Sequence, residues 1–201
     1  MARWLFIRHG ESVANAEGWL AGHRDVGLTP RGEAQARLLR PLLQEAGFAR
    51  VFASDLTRAW RTAELAGAPR VTQVPALRER NLGAWEGRLR SDLVETGEMP
   101  TLLTWTRGPP GGESQRDVAA RVLAALSGIE ASGGATTVVV AHGGVLRVID
   151  GLHHARPRGT VGATRVDNTE VLDWEVPTGR WTALSAALDD EEPLAVPGAA
   201  W

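Results

Sequence analysis

Residues Thr136–Ala141 read Thr-Thr-Val-Val-Val-Ala, an almost uninterrupted apolar and β-branched run. A strand with one wet face alternates polar and apolar residues, and this one does not. It therefore predicts a strand covered on both faces, as in a parallel sheet. Other strand-like runs are Trp4–Ile7, Val51–Ala53 and Val71–Val74, and Val166 with Val171–Trp174 indicates one more. Helical patterns alternate with them. Thr29-Pro30 reads as an N-cap followed by proline at the first helical position. Leu38, Leu39, Leu42, Leu43 and Ala46 follow at helical spacing, with Pro41 expected to kink that helix. Ser114 is expected to cap a helix carrying Val118, Val122, Leu126 and Ile129. Strands alternating with helices predict an α/β layered fold.

The chain has 201 residues, which favours one domain. The reading places that domain at 1–188, with an irregular insert at about 88–113. Within the insert, Gly97–Glu113 is rich in Pro and Gly, and a short helix is expected around Leu102–Trp105. Residues 189–201 form an acidic, then Pro/Gly/Ala-rich, tail expected to lie outside the core. The formal net charge is −2, without the basic excess of a nucleic-acid footprint, so no nucleic-acid partner is expected. There is no cysteine, which excludes disulfides, thiolate zinc sites and cysteine nucleophiles. All 22 basic residues are arginines. Without lysine there is neither a Walker A phosphate loop nor Schiff-base chemistry. No apolar run reaches membrane-spanning length and no signal-peptide pattern opens the chain, so a cytoplasmic protein off the membrane is expected.

Four segments carry chemistry. Arg8-His9-Gly10-Glu11-Ser12, with Asn15 beyond it, follows the first strand. Ligands of open α/β sheets bind beyond the carboxyl ends of strands, which places His9 well. Gly10 would let backbone approach a ligand closely, and Arg8 offers a rigid fork of donors for phosphate oxygens. Taken alone, His9 reads equally as a loop histidine satisfied by local hydrogen bonds. Ala141-His142-Gly143-Gly144 repeats the pattern after the strongest strand, so both imidazoles would face one cleft; the bland reading is a second, unrelated turn histidine. Ser54-Asp55-Leu56-Thr57-Arg58-Ala59 follows Val51–Ala53, with Ser54 or Asp55 expected to cap a helix that holds Arg58 near the same sheet edge. Arg61 reads as part of a solvated face. Leu77-Arg78-Glu79 and Gly83-Ala84-Trp85-Glu86-Gly87 put two glutamates in a loop. A partly buried glutamate suits proton delivery to a leaving oxygen, whereas surface carboxylates pair with arginines, and spacing does not choose between Glu79 and Glu86. His23 is expected to border the cleft. His153 and His154, pointing about 100° apart on a helix, read as a surface feature. Trp19, Trp85 and Trp105 offer stacking surface or simple packing.

In this order, the four segments closely resemble the histidine phosphatase superfamily, the phosphoglycerate-mutase-like proteins. The likeness also includes Leu28-Thr29-Pro30-Arg31-Gly32 and Gly112-Glu113-Ser114, with a weaker echo at Asp167-Asn168-Thr169. It implies a three-layer α/β/α fold with a central, mostly parallel sheet. It implies that His9 is the nucleophile and Glu79 the general acid, which leaves Glu86 structural. Arg8, Arg58, His142 and Gly143 would surround the phosphate with Asn15 assisting, and Ala21 and Gly22 would line the cleft. The activity implied is hydrolysis of small-molecule phosphate esters through a phosphohistidine, with neither cofactor nor metal, in a monomer or homodimer. Two guanidinium groups and an imidazolium would supply the positive charge that phosphoryl transfer needs, and Arg8 beside His9 should disfavour protonation of the nucleophile.

Within the family the alternative is a cofactor-dependent phosphoglycerate mutase. Mutases resemble this chain but carry a longer, basic insert between the acid glutamate and the second histidine. They also tend to place Asn after the second His-Gly, where this chain has Gly144. They follow the glutamate with Arg-His-Tyr-Gly, where this chain has Arg80-Asn81-Leu82-Gly83. These departures favour a phosphatase. A noncatalytic phosphate-binding regulator would have lost His9 or Glu79. A metallohydrolase using His9, His142 and Glu79 would lack the further ligands of a two-metal site.

Overall fold

The computed structural model describes residues 1–47, 50–134 and 136–188; the tail at 189–201 lies outside the described residues. The chain runs through β1 (Ala2–Arg8), α1 (Val13–Glu17), α2 (Pro30–Leu38), α3 (Arg40–Glu45), β2 (Val51–Ala53), α4 (Thr57–Leu65), β3 (Thr72–Gln73) and α5 (Arg90–Glu95). It continues with α6 (Gln115–Ala131), β4 (Thr136–Ala141), α7 (Gly143–His153), β5 (Val171–Val176) and α8 (Arg180–Ala186). The five strands lie in the order β3-β2-β4-β1-β5. All neighbours are parallel except β5, which closes the edge antiparallel to β1.

The layers follow from β1. Trp4 and Phe6 point into one apolar cluster, with Val122, Leu126 and Trp181 of α6 and α8. Leu5 and Ile7 point into another, with Leu43 of α3 and Ala59 and Ala63 of α4. Side chains alternate across a strand, so four consecutive buried apolar residues require a cover on each face. β4 does the same, with Val139 and Ala141 on the first face and Val138 and Val140 on the second. This is the expected three-layer α/β/α arrangement.

Several local expectations change. The helix after Thr29 is two helices, broken at Leu39, because Pro41 cannot continue the hydrogen-bond ladder of α2 and instead opens α3. Thr29 caps α2 through Gly32 N–H and Ser114 caps α6 in a reciprocal box with Asp117. Neither Ser54 nor Asp55 caps α4. Its N-cap is Leu56, and the cap comes from Asp25, whose carboxylate accepts from Thr57 N–H at 2.7 Å and Thr57 Oγ1 at 2.8 Å. Asp55 is committed to Arg78 at 2.6 Å. Val71–Val74 shortens to the two residues of β3, and Val166 is buried in a loop rather than in a strand. The insert holds α5, and its second short helix is a 3₁₀ turn at Met99–Leu103, upstream of the expected position.

Candidate active site

His9 and His142 each follow the carboxyl end of a central strand, and the register pairs Arg8 with Ala141. The two rings therefore emerge side by side, with centroids 5.1 Å apart and planes inclined at 61°. Both are buried. His9 stands at the floor of a cavity of about 660 Å³ that Arg8, Asn15, Arg58, Glu79, Gly143 and Gly144 help to line, with Ala21 and Gly22 at its wall; His142 packs against the His9 ring, fully buried, and does not line it. The structure thus brings every predicted site residue except His142 to the lining of one cavity, and seats His142 against His9 beneath it.

His9 Nδ1 lies 2.6 Å from the carbonyl oxygen of Gly10. A carbonyl only accepts, so Nδ1 carries the proton and Nε2 keeps its lone pair. Burial, and then Arg58 and Arg8, hold the His9 pKa well below its ordinary value. His142 is held well below its ordinary value as well, by burial, then by Arg58 and His9. Burial and the neighbouring Arg58 thus favour the neutral form of His142, where an imidazolium was expected. Both of its ring nitrogens, and Nε of Arg8, are buried without a partner among the described residues.

The arginines are fixed by backbone carbonyls. Arg8 donates to Val166 O at 2.7 Å. Arg58, the second residue of α4, donates to Gly22 O at 2.9 Å and Arg24 O at 3.0 Å. Burial lowers the pKa of both, and the charge of Glu79 opposes the shift. Asn15 sits in the capping box of α1, where its Oδ1 accepts from Ser12 N–H. It also accepts from Asn168 Nδ2, which donates in addition to His9 O at 2.9 Å. Asn168 was present in the sequence only as a weak echo; its place behind His9 is set by a loop 159 residues away.

The two glutamates separate by their partners. Glu79 turns its carboxylate to the cavity and accepts from Arg80 N–H at 2.8 Å and Gly144 N–H at 3.0 Å. Glu86 accepts from His23 N–H at 2.7 Å and Leu82 N–H at 3.2 Å, tying two turns together. His23 does not border the cavity as expected; its Nε2 donates to the carbonyl of Glu79 at 2.8 Å. Arg121 donates to the same carbonyl at 2.9 Å and pairs with Glu113 at 2.7 Å. Gly10 also differs from expectation. The space of its missing side chain is filled by the Gly32 carbonyl, 2.4 Å from where a Cβ would stand, so Gly10 serves packing against α2 rather than ligand approach. His153 stacks on Trp174 at 4.4 Å, and His154 lies 3.4 Å from Asp150. Trp85 and Trp105 are buried packing residues, whereas Trp19 lines the cavity. Among the described residues no group of three or more His, Asp or Glu gathers in a way that would hold a metal ion, and no helix is long and apolar enough to cross a membrane.

A three-layer α/β fold with two strand-terminal histidines, a buried and a half-buried arginine and a carboxylate gathered at the carboxyl ends of the central strands defines a class of α/β proteins with a polar site at that edge of the sheet. The family comparison is specific: residues 4–189 match the histidine phosphatase superfamily (branch 1), and the chain belongs to that family. An adenosylcobalamin/alpha-ribazole phosphatase of Salmonella typhimurium is 34% identical over 193 residues, covering 92% of this chain and 90% of that protein. A 2,3-bisphosphoglycerate-dependent phosphoglycerate mutase of Gloeobacter violaceus is 36% identical over 162 residues, 74% of each chain. Among solved structures, a mycobacterial glucosyl-3-phosphoglycerate phosphatase in complex with VO3 superposes with a TM-score of 0.80 at 27% identity, covering 86% of this chain and 92% of that one.

Proposed function

We propose that this protein is a phosphomonoesterase that hydrolyses small phosphate esters through a phosphohistidine on His9. The observation that carries the reading is the set of buried polar atoms left unpaired beside the nucleophile: Nε of Arg8 and both ring nitrogens of His142. An unsatisfied buried polar group costs about 1–3 kcal/mol. A phosphoryl group carried on His9 would bring its oxygens toward Arg8 Nε–H and the His142 ring, whose centroid lies 5.1 Å from that of His9, and so offset that cost.

The chemistry follows from the geometry. His9 Nε2 attacks phosphorus in line while Nδ1–H stays on the Gly10 carbonyl. The P–O bond to the ester breaks, and Glu79 in its acid form gives its proton to the departing alkoxide. Arg8 and Arg58 stabilise the charge on the equatorial oxygens without reorganising, because backbone carbonyls already hold them. Water then attacks phosphorus, Glu79 takes a proton from it, and the N–P bond breaks to release phosphate and neutral His9. Gly144 and the Arg80-Asn81-Leu82-Gly83 segment, where mutases resembling this chain differ, support water rather than a sugar acid as the acceptor. Rapid quench with 32P-labelled ester in the presence of EDTA should trap an acid-labile, base-stable phosphoenzyme, absent in His9→Ala, followed by free phosphate. Full activity of His9→Ala, or fast exchange of 3- and 2-phosphoglycerate with negligible phosphate release, would overturn the proposal.

A further inference from the structure

Glu79 stands in a stretch that neither helix nor sheet supports. The 3₁₀ turn Pro75–Leu77 ends before it and the next, Gly83–Trp85, begins after it. A general acid works only where its oxygen meets the departing one, so something must fix this backbone. Of the two N–H groups that hold the carboxylate, one belongs to Arg80, its own neighbour, and moves with it. The bonds that hold the backbone come from side chains behind it. Arg121, in α6, donates from Nη1 to the carbonyls of Ala76 and Arg78, both at 2.8 Å, and from Nη2 to that of Glu79 at 2.9 Å. His23 Nε2 is a second donor to the Glu79 carbonyl.

Arg121 is itself locked by Glu113. Its Nε and Nη2 meet the two carboxylate oxygens at 2.7 and 2.8 Å, a fork on a fork. Glu113 also accepts from Asn81 N–H at 2.8 Å, and its own N–H donates to Asn81 O at 2.8 Å. Its carbonyl takes Arg80 Nε at 2.6 Å. Burial acts to raise the Glu113 pKa, but the bonds from Arg121 and Asn81 outweigh it and keep the carboxylate charged. The segment from Ala76 to Asn81 is thus tied along its length to one arginine–glutamate unit. Arg121, Glu113 and His23 do not line the cavity, so what they do for a bound ester passes through the segment they hold.

We infer that Arg121, locked by Glu113, is a positioning residue: it fixes the backbone from which Glu79 reaches the leaving oxygen. The inference rests on the reading of Glu79 as the acid, and the test separates the two. Rapid quench of His9 phosphorylation in single turnover compares propyl phosphate with p-nitrophenyl phosphate. An alkoxide needs the proton to leave and a nitrophenolate does not. Arg121→Lys keeps the charge, which also acts on His142, but loses the planar fork. It should lose about tenfold to a hundredfold with propyl phosphate and less than about threefold with p-nitrophenyl phosphate. A merely structural role would slow both esters alike. Added to Glu79→Gln, Arg121→Lys should cost less than about threefold with either ester, because the proton it helps to place is gone. Glu113→Gln gives Arg121 a neutral partner; it should shift the ratio the same way, and it decides if Arg121→Lys does not fold. Equal losses for the two esters in a folded variant, full additivity with Glu79→Gln, or a wild-type rate with propyl phosphate would overturn the inference. Backbone hydrogen exchange of the ligand-free protein needs no turnover. In Arg121→Lys, exchange at Arg80 and Asn81 should speed up by about tenfold or more while the amides of β4 hold, and no change there would also overturn it. If Glu79→Gln itself loses equally with both esters, the acid reading fails, and the exchange measurement alone then decides whether Arg121 fixes the segment.

Discussion

Gly144 has no side chain because there is no room for one: a Cβ there would stand 2.2 Å from Oε1 of Glu79. The same residue's N–H holds the other oxygen of that carboxylate. Alanine at 144 favours the helix by up to about 1 kcal/mol, yet it must push Glu79 aside. A misplacement near 1 Å costs on the order of a hundredfold in rate. Gly144→Ala should therefore lose about a hundredfold in kcat while its melting temperature stays level or rises; a parallel loss of both would mean that the glycine serves folding alone. The pairing of His9 with His142 was legible in the sequence because each is a local pattern, an apolar strand ending in His-Gly. The choice between Glu79 and Glu86 was not. It depends on which N–H groups the two carboxylates meet, and Gly144 is 65 residues from Glu79.

At the scale of elements, α4 shows why a cap is hard to read. Ser54 and Asp55 stand where a local cap belongs, and the cap is Asp25, 32 residues earlier. This carboxylate ties the loop of Gly22 and Arg24 to the first turn of α4, and that loop's carbonyls hold Arg58. Asp25→Ala should cost about 1 kcal/mol of stability, the usual value of a lost N-cap. It should also raise KM for phosphate esters, because Arg58 loses its anchor. Urea denaturation and steady-state kinetics check the two effects, and a stability loss with unchanged KM would show that Arg58 is held independently. The break between α2 and α3 was legible because proline acts on its own helix. The length of β3 was not, since pairing with β2 sets it.

Across the whole molecule, the buried imidazoles link stability to pH. His9 and His142 are neutral when folded and gain protons when unfolded below the ordinary histidine value near 6.5. The unfolded chain then binds more protons than the folded one, so stability is full above about pH 6.5 and declines as pH falls toward the depressed folded values. The slope can reach about 1.4 kcal/mol per pH unit for each histidine. His153, lowered by burial and by His154, acts in the same direction. Urea midpoints of the ligand-free protein should drop between pH 7.5 and 5.5, a window above the carboxylate range. A flat profile there would mean that the site histidines titrate as if exposed. The layered fold itself was legible from β4, whose buried run leaves few architectures open. The strand order was not, because β1 pairs with two strands that each lie more than a hundred residues away.

That order has a consequence for how the protein is made. Of the five strands β1 leaves the ribosome first, and both of its neighbours, β4 and β5, follow more than a hundred residues later. Trp4, Leu5, Phe6 and Ile7 thus have no strand to pair with until residue 141 has emerged. Loop closure over such distances slows folding, and an unpaired apolar strand invites association with other chains. The arrangement that sets His9 against His142 therefore leaves an apolar segment of the nascent chain unpaired until β4 has been made, and the two histidines meet only then.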